Sequence, residues 1–344
     1  MSIRVLVVDD SSVVRQTMQR IFEPEPDIEV VGTAPDPYVA RDKILELKPD
    51  VVLLDVEMPR MDGLTFLKKI MKHRPLPVVI CSSITPKAGR LAMEALSAGA
   101  IDVLCKPSSA FSLGTLGAEI IQSVRSAAGS KPQTIHRPQG PQGIGSASSP
   151  IKVQSKRRII GIGASTGGTE TTRRLLQSFP ADAPSVLIVQ HITDAFAPAY
   201  ANHLNEVTGM EIRLAKDGDP VTRGVGLLAP GDQHMSLEKD ANGSLYVKVR
   251  KGPKVQYQRP SVDVLFNSIA KIAGREAVGV LLTGMGKDGA EGLLAMRQAG
   301  ARTIAQDEAT SIVYGMPRVA AELGAADQVM PLDKIAAAAL TAPV

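Results

Sequence analysis

The strongest constraint on the fold is an alternation of short apolar runs with amphipathic stretches. Five runs rich in Val, Ile and Leu open the chain, at Ile3–Val8, Ile28–Thr33, Val51–Leu54, Val78–Cys81 and Ile101–Leu104. Runs this continuous indicate strands buried on both faces, and the amphipathic segments between them indicate helices that cover those faces. The pattern therefore predicts an α/β fold for residues 1–125, with a five-stranded, doubly wound parallel sheet.

The same alternation returns in residues 153–344. Its apolar runs are Arg158–Gly163, Val186–Val189, Val278–Leu282 and Arg302–Ala305. Between Ile212 and Lys251 the pattern changes to short β runs with Gly-rich turns such as Asn242-Gly243, a pair typical of tight hairpins. We therefore expect a second doubly wound α/β parallel sheet that carries an antiparallel β extension.

Residues 126–152 are predicted to form a flexible linker between these two domains. Within this segment, Gly129–Pro150 holds four Gly, four Pro, four Ser and three Gln. Such a composition buries too little apolar surface to fold by itself.

The formal net charge of +4 would be compatible with a nucleic-acid partner, but neither predicted domain carries the excess of basic residues. Residues 1–125 hold 15 basic and 16 acidic side chains, and residues 159–344 hold 18 and 19. The excess lies in residues 126–158, with six basic side chains and no acidic one. Because a nucleic-acid-binding domain usually carries its own positive face, we expect no nucleic-acid partner.

Composition also bears on the compartment. Two Cys in 344 residues cannot build a disulfide framework, which favours a reducing environment. The N-terminus shows no signal-peptide pattern, and no apolar run approaches the roughly 20 residues that cross a bilayer. We expect a cytoplasmic protein that is not itself a membrane protein.

Polar side chains follow the predicted strands of the first domain. Asp9 and Asp10 end the first strand, Asp55 the third, Ser82 the fourth and Lys106 the fifth. Ligand sites in open α/β sheets form beyond the carboxyl ends of the strands. Three carboxylates there repel one another unless a hard cation neutralises them, so the pattern predicts a Mg²⁺ site at Asp9, Asp10 and Asp55. A single Asp at such a position would more often cap a helix.

Residues 1–125 resemble a two-component receiver domain. The shared features are the Asp9-Asp10 pair, the DVEMPRMDG segment that starts at Asp55, and Lys106 followed by proline. The resemblance implies a flavodoxin-like fold and Mg²⁺-dependent phosphoryl transfer from a histidine kinase to Asp55, with Ser82 and Lys106 as switch residues. Val103 occupies the position where receivers usually carry an aromatic switch residue, and a valine cannot swing in and out as an aromatic ring does.

The segment RIIGIGASTGG, Arg158–Gly168, predicts a strand, a Gly-rich turn and a helix. As a dinucleotide fingerprint it is incomplete, because Thr166 occupies a required glycine position and no acidic residue ends the next strand. As a nucleophile turn it places Ser165 at the strand end, before a helix N-terminus that stabilises a developing anion. In that second interpretation Thr166, Gly167 and Gly168 support the turn and the oxyanion.

A general base and an orienting carboxylate are needed to activate a serine at neutral pH. His191 ends the strand after the one that carries Ser165, and Asp288 lies just past the end of a later strand. Gly284 and Gly286 flank Met285, whose backbone N–H we expect to assist the oxyanion. Four side chains are weaker alternatives, namely His234 as a rival base or substrate-side group and Asp194, Glu170 and Glu291 as rival carboxylates.

Residues 158–344 resemble the catalytic domain of the chemotaxis protein-glutamate methylesterases. The matching segments are GASTGG, the strand ending in QH, LAPGDQHM, PSVDVLF and LLTGMGKDGA. The resemblance implies a Ser165–His191–Asp288 triad without a cofactor for ester hydrolysis, acting on γ-glutamyl methyl esters of chemoreceptor cytoplasmic domains. It also implies deamidation of receptor glutamines, and a chemotaxis histidine kinase as the phosphodonor.

Two other output functions for residues 153–344 fit the sequence less well. A DNA-binding output would be a common partner of a receiver, but such modules are typically smaller and helical, and the regional charge disfavours it. A nucleotide-binding output is disfavoured because Thr166 occupies a position where the dinucleotide fingerprint requires glycine.

Overall fold

A computed structural model describes residues 2–83, 85–106, 113–130 and 159–341 of this chain. The chain divides into two compact units, Met1–Gly140 and Pro141–Val344. Most of the predicted linker lies outside the described residues, and the last helix of the first unit continues three residues into its predicted range, to Ala128. In the described residues, no helix combines the length and the apolar character needed to span a membrane.

The first unit contains one five-stranded parallel sheet, as predicted. Its strands are β1 (Ile3–Val8), β2 (Ile28–Ala34), β3 (Val51–Asp55), β4 (Val78–Ser82) and β5 (Asp102–Cys105), in the spatial order β2-β1-β3-β4-β5. The helices between and after them are α1 (Ser12–Phe22), α2 (Pro37–Leu47), α3 (Gly63–His73), α4 (Pro86–Ser97) and α5 (Leu113–Ala128). The strand order reverses between β1 and β3, so their carboxyl ends diverge around a crevice.

Short polar side chains form the N-caps of the first four helices. Ser11, Asp36, Asp62 and Thr85 each accept a hydrogen bond from a backbone N–H in the first turn of the helix that follows. Such caps satisfy donors that have no partner within the helix, and each contributes about 0.5–2 kcal/mol to stability.

The second unit is built on a seven-stranded sheet in which every pairing is parallel. Its strands are β6 (Ile159–Ala164), β7 (Ser185–Gln190), β8 (Glu211–Leu214), β9 (Val225–Leu228), β12 (Ala277–Leu281), β13 (Arg302–Gln306) and β14 (Gln328–Met330). The spatial order is β14-β13-β12-β6-β7-β9-β8, which confirms the predicted doubly wound α/β sheet. A separate antiparallel pair consists of β10 (His234–Lys239) and β11 (Leu245–Arg250).

The antiparallel extension is therefore smaller than the sequence predicted. In the segment between Ile212 and Lys251, the two strands that pair antiparallel are β10 and β11, which enclose the predicted Asn242-Gly243 turn. An isolated antiparallel bridge also joins Pro220 to Tyr246 of β11. Strands β8 and β9 instead join the main sheet in parallel beside β7. A run of four residues does not reveal the direction of its neighbour, which depends on how the connecting chain crosses the sheet.

Six helices cover the second sheet among the residues described. They are α6 (Gly168–Leu176), α7 (Ala197–Val207), α8 (Val262–Ile272), α9 (Ala290–Gln298), α10 (Met316–Glu322) and α11 (Leu332–Thr341). Helix α8 packs closely on β6, where a Cβ added to Gly163 would lie 2.2 Å from Val262 Cγ1. A glycine in β6 is thus what lets the first turn of α8 approach the sheet edge.

Candidate functional site

The carboxyl ends of β6, β7 and β12 are neighbours in the second sheet, and two of the predicted catalytic side chains meet there. His191 follows β7, and its Nε2 lies 2.8 Å from Asp288 Oδ2, in the loop after β12. Both side chains are almost fully buried, at 8% and 3% exposed. Nδ1 of His191 is also buried and has no hydrogen-bond partner among the described residues. The ring is therefore oriented through Nε2.

The first turn of α8 holds Asp288 in place. Its Oδ2 accepts the N–H of Val262 at 2.7 Å, and its Oδ1 accepts the Ser261 hydroxyl at 2.7 Å and the N–H of Asp263 at 3.1 Å. Burial raises the pKa of Asp288, but His191 and these donors outweigh that effect and hold its pKa below the usual range. Asp288 therefore stays ionised and keeps the His191 ring in one orientation.

A second buried carboxylate, Asp263, lies beside Asp288. Its Oδ1 accepts the N–H of Gly292 at 2.7 Å. Burial and the charge of Asp288 raise the pKa of Asp263. The pKa values of the two carboxylates are thus shifted in opposite directions, and Asp288 is the one held as an anion.

Ser165 lies next to His191 through the register of β6 and β7. Ala164 and Gln190 are the last registered pair of β6 and β7, and the N–H of His191 donates to Ala164 O at 3.0 Å. Ser165 and His191 are the residues that directly follow these two neighbouring strand ends. Parallel strands lie about 4.8 Å apart, and paired residues point to the same face. Within the described residues, Ser165 Oγ forms no hydrogen bond to the His191 ring. Hydrogen bonds between a nucleophile and its base are often long before substrate binds.

The backbone after Ser165 turns sharply into α6, as predicted. The N–H of Gly168 donates to Ser165 O at 2.7 Å, so this group supports the turn and does not face a substrate. Gly167 has a φ of 74°, and a Cβ there would lie 2.6 Å from Ile312 Cβ. The buried Gln190 side chain also donates to Ser165 O, at 2.7 Å.

Thr283 joins this turn to the loop that contains Met285. Its N–H donates to Gln306 Oε1 at 2.8 Å, and its carbonyl accepts the N–H of Ser165 at 3.0 Å. Its hydroxyl lies 3.1 Å from Thr166 O and accepts the N–H of Val313 at 2.9 Å. One buried side chain thereby fixes the spacing between the serine turn and the predicted oxyanion loop.

The rival residues are occupied elsewhere or lie outside the His191–Asp288 pair. His234 Nε2 lies 2.9 Å from Pro253 O, and its Nδ1 accepts the N–H of Ser261 at 3.2 Å, so both ring nitrogens already have partners. Glu170 forms a bidentate pair with Arg173. Asp194 is exposed, Glu291 lies in the first turn of α9, and neither hydrogen bonds to His191 in the part of the chain described.

In the first unit, the three predicted metal ligands meet at the crevice between β1 and β3. Carboxylate oxygens of Asp9, Asp10 and Asp55 all lie within 4.8 Å of one another. Asp9 and Asp55 are buried and Asp10 is exposed, so the cluster opens to solvent on one side. An all-oxygen, partly open set of this kind fits Mg²⁺, which keeps several waters.

The predicted switch residues adjoin this cluster. Lys106 Nζ lies 2.6 Å from Asp55 Oδ2 and 2.9 Å from Asp9 Oδ2. Burial raises the pKa of Asp55 to about 6, although Lys106 opposes that shift. Ser82 Oγ is buried without a hydrogen-bond partner among the described residues. Val103 is buried in β5.

Several residues of the site were not predicted from the sequence. Ser261, Thr283, Gln190 and Gln306 all contact the loops that carry the predicted triad. The PSVDVLF segment that contains Ser261 contributed to the resemblance, and its serine before an apolar helix is an ordinary capping signal. The contacts of the other three depend on strand order, for which a single sequence has no local signal.

Comparison with known proteins identifies both units. Residues 160–339 match the CheB methylesterase family, and residues 5–115 match the response regulator receiver domain. A protein-glutamate methylesterase/protein-glutamine glutaminase of Syntrophus aciditrophicus is 50% identical over 97% of each chain. One from Anaeromyxobacter dehalogenans is 51% identical over 97% of this chain and 93% of its own.

A solved structure agrees with the second unit. The CheB methylesterase catalytic domain of Thermotoga maritima is 34% identical, with a TM-score of 0.52, over 54% of this chain and 97% of that domain. The family match spans more than half of the chain, and relatives about half identical span nearly all of it. The chain therefore belongs to the CheB methylesterase family and carries a response regulator receiver domain at its N-terminal end.

Proposed function

We propose that this protein hydrolyses γ-glutamyl methyl esters on chemoreceptor cytoplasmic domains and deamidates selected receptor glutamines, under control of phosphorylation at Asp55. The observation that carries the hydrolytic part is the buried contact of His191 Nε2 with Asp288, at the end of the strand that neighbours the one followed by Ser165. The relatives named above, protein-glutamate methylesterases/protein-glutamine glutaminases, support the substrate class.

The acylation step uses groups of the second unit alone. Ser165 Oγ attacks the ester carbonyl while His191 Nδ1 takes the hydroxyl proton and Asp288 stabilises the imidazolium that results. Collapse of the tetrahedral intermediate breaks the bond to the methoxy oxygen, and the proton on Nδ1 leaves with methanol. Backbone N–H groups of Thr166 and Met285 are our proposed donors to the oxyanion, where one donor is worth about 2.7–4 kcal/mol.

Deacylation repeats the chemistry with water as the nucleophile. His191 takes a proton from water, hydroxide attacks the acyl carbonyl, and Ser165 leaves with that proton, which restores the enzyme and leaves glutamate on the receptor. With glutamine as substrate, the first leaving group is ammonia.

The regulatory step belongs to the first unit. Asp9, Asp10 and Asp55 would hold Mg²⁺, which when bound offsets the negative charge of a phosphoryl group arriving at Asp55. An Asp55 carboxylate oxygen attacks phosphorus, and the donor, in our proposal a chemotaxis histidine kinase, leaves. In this proposal the new phosphoryl oxygens bind to Lys106, which pairs with Asp55, and to the Ser82 hydroxyl, which has no hydrogen-bond partner among the described residues. Phosphorylation then raises the esterase activity of the second unit.

Methanol release from methyl-labelled receptor membranes tests the proposal. We expect release by the unsubstituted protein, stimulation by Mg²⁺ with a small phosphodonor, and loss of stimulation but not of basal release when EDTA removes the metal. Ser165→Ala should abolish release, and Asp55→Asn should keep basal release and lose stimulation. Full release by Ser165→Ala would refute the nucleophile assignment, and a stimulated Asp55→Asn protein would refute the regulatory one.

A further inference from the structure

The loop between β11 and α8 carries an aromatic side chain that the catalytic mechanism does not use. This loop, Lys251–Arg259, contains three basic residues and no acidic one. Tyr257 at its tip is 91% exposed, more than any other large hydrophobic side chain in the described residues. Packing within the second unit therefore does not explain a tyrosine at this position.

The backbone at the tip is also strained. Val255 and Gln258 exchange two backbone hydrogen bonds, of 3.0 and 2.8 Å, around a two-residue turn. The central residues Gln256 and Tyr257 have φ values of 51° and 64°. Turns with two left-handed residues are normally made by pairs such as Asn-Gly, since a Cβ is disfavoured there. Strain that persists in an exposed loop beside a catalytic centre is characteristic of ligand-binding elements.

The base of the loop is held firmly, so the tip has a defined position. Arg259 donates through Nε to Asp232 Oδ1 at 2.8 Å and through Nη1 to Gly252 O at 2.6 Å. His234, unused as a base, bonds Pro253 O at 2.9 Å. A protein substrate would therefore meet a preorganised element, which lowers the entropic cost of binding.

The loop also lies close to the catalytic residues. Ser261, which donates to Asp288, is four residues beyond Tyr257, so their Cα atoms are at most about 14 Å apart. A helix with its side chains is about 10–12 Å across. A protein segment whose side chain enters the site beside Ser165 can therefore contact the tip of the loop with its neighbouring residues.

The charge of the loop indicates the character of that segment. Lys251, 75% exposed, and Arg259 share one acidic partner, Asp232. Lys254 is exposed and forms no ion pair within the described ranges. The loop thus keeps positive charge around an exposed aromatic ring, an arrangement that favours carboxylates and the alkyl stems of an acidic protein surface.

We infer that the Lys251–Arg259 loop is a recognition element for the protein substrate, in which Tyr257 packs on an acidic segment beside the esterified glutamate and Lys254 pairs with its carboxylates. The inference rests on the proposed function. It assigns substrate selection to a surface outside the triad.

The test compares a protein ester with a small one. For each variant, kcat/KM is measured on methyl-labelled receptor membranes and on the γ-methyl ester of a glutamyl dipeptide. We expect Tyr257→Ala to lower the receptor value about tenfold more than the dipeptide value, and Lys254→Ala to do so by a smaller factor that shrinks with added salt. Lys239 is an exposed lysine at the end of β10 that is opposite to His234, and Lys239→Ala is the matched control, which should change neither value.

A double variant separates recognition from folding. Gln256→Asn with Tyr257→Gly introduces the pair that this turn prefers, so the melting temperature should hold or rise while receptor hydrolysis falls as in Tyr257→Ala. Equal changes on both esters, or no change on the receptor, would overturn the inference. A variant that altered only the stimulation by phosphodonor would instead assign the loop to the first unit. Failure of the unsubstituted protein to release methanol would refute the proposed function itself.

Discussion

Asp288 binds His191 through Nε2, at 2.8 Å, so the proposed mechanism uses the other ring nitrogen, Nδ1, as the base. In the familiar serine protease triad the carboxylate binds Nδ1 and the base is Nε2. The exchange of the two nitrogens follows from where each residue lies. Asp288 is held against the first turn of α8 by three donors, and the ring must reach it from the end of β7.

Replacing Asp288 by asparagine should lower kcat for methanol release by about 10³–10⁴-fold, with little change in KM. The amide can donate to Nε2, which selects the tautomer whose Nδ1 already carries a proton and cannot act as a base. Asp194→Asn is the matched control, because that exposed carboxylate was the sequence rival and lies three residues from His191. Equal loss in both variants would remove Asp288 from its assigned role.

Ser261→Ala should lower kcat about tenfold and also lower the melting temperature. The hydroxyl donates to Asp288 Oδ1 at 2.7 Å and caps α8 by accepting from Val264 N–H, so one substitution removes both contacts. A hydrogen bond to a charged group contributes about 1.5–3 kcal/mol, and an N-cap about 0.5–2 kcal/mol. Ser261→Thr keeps the hydroxyl and should recover most of both values. Unchanged kinetics with a lowered melting temperature would limit Ser261 to a structural role.

Thr283→Val should lower kcat about ten- to a hundredfold while KM stays nearly constant, since the Thr283 hydroxyl joins the serine turn at Thr166 O and also accepts the N–H of Val313 in the loop after β13. Thr283→Ser is the control that retains the hydroxyl and should retain most of the activity. Steady-state kinetics on the dipeptide ester would measure both. A valine variant that lost only substrate affinity would contradict this positioning role.

The stability of the first unit should depend on pH through Asp102. Burial raises the pKa of this carboxyl to about 6, despite hydrogen bonds from Ser123 and the Val103 N–H. Because the folded state holds the Asp102 proton more tightly than the unfolded state, protonation of Asp102 adds to the free energy of unfolding. This contribution is fully present below about pH 4 and is lost as the pH rises through about 6. The loss is on the order of 3 kcal/mol.

Calorimetry of the full chain at about pH 5 and pH 7.5 would test this dependence. Asp102→Asn should become more stable relative to the unsubstituted protein at the higher pH, because it carries no buried charge there. Asp42→Asn, whose carboxylate is 66% exposed, is the control and should shift equally at both values. If the stability difference between Asp102→Asn and the unsubstituted protein were the same at both pH values, the Asp102 carboxyl would already be ionised at about pH 5, and the prediction would be wrong.

Much of this fold could be predicted from local pattern. Runs such as Val51–Leu54 are continuously apolar because parallel strands are buried on both faces, and polar residues at their ends mark the edge where sites form. Asp9, Asp55, His191 and Asp288 were all recognisable in this way. The direction of β8 and β9 was not, because runs of four residues are compatible with either pairing.

By itself, the sequence determined the two α/β domains, the residue types at their strand ends and the family resemblance. Only the tertiary structure decided that His191 uses Nε2, that Ser261 holds Asp288 and that Thr283 spans to Thr166, 117 residues away in the chain. The physical reason is that these contacts depend on the order β12-β6-β7, which brings distant segments to one sheet edge. Local periodicity specifies what a segment buries, but its partner across the sheet is chosen by the packing of the whole unit.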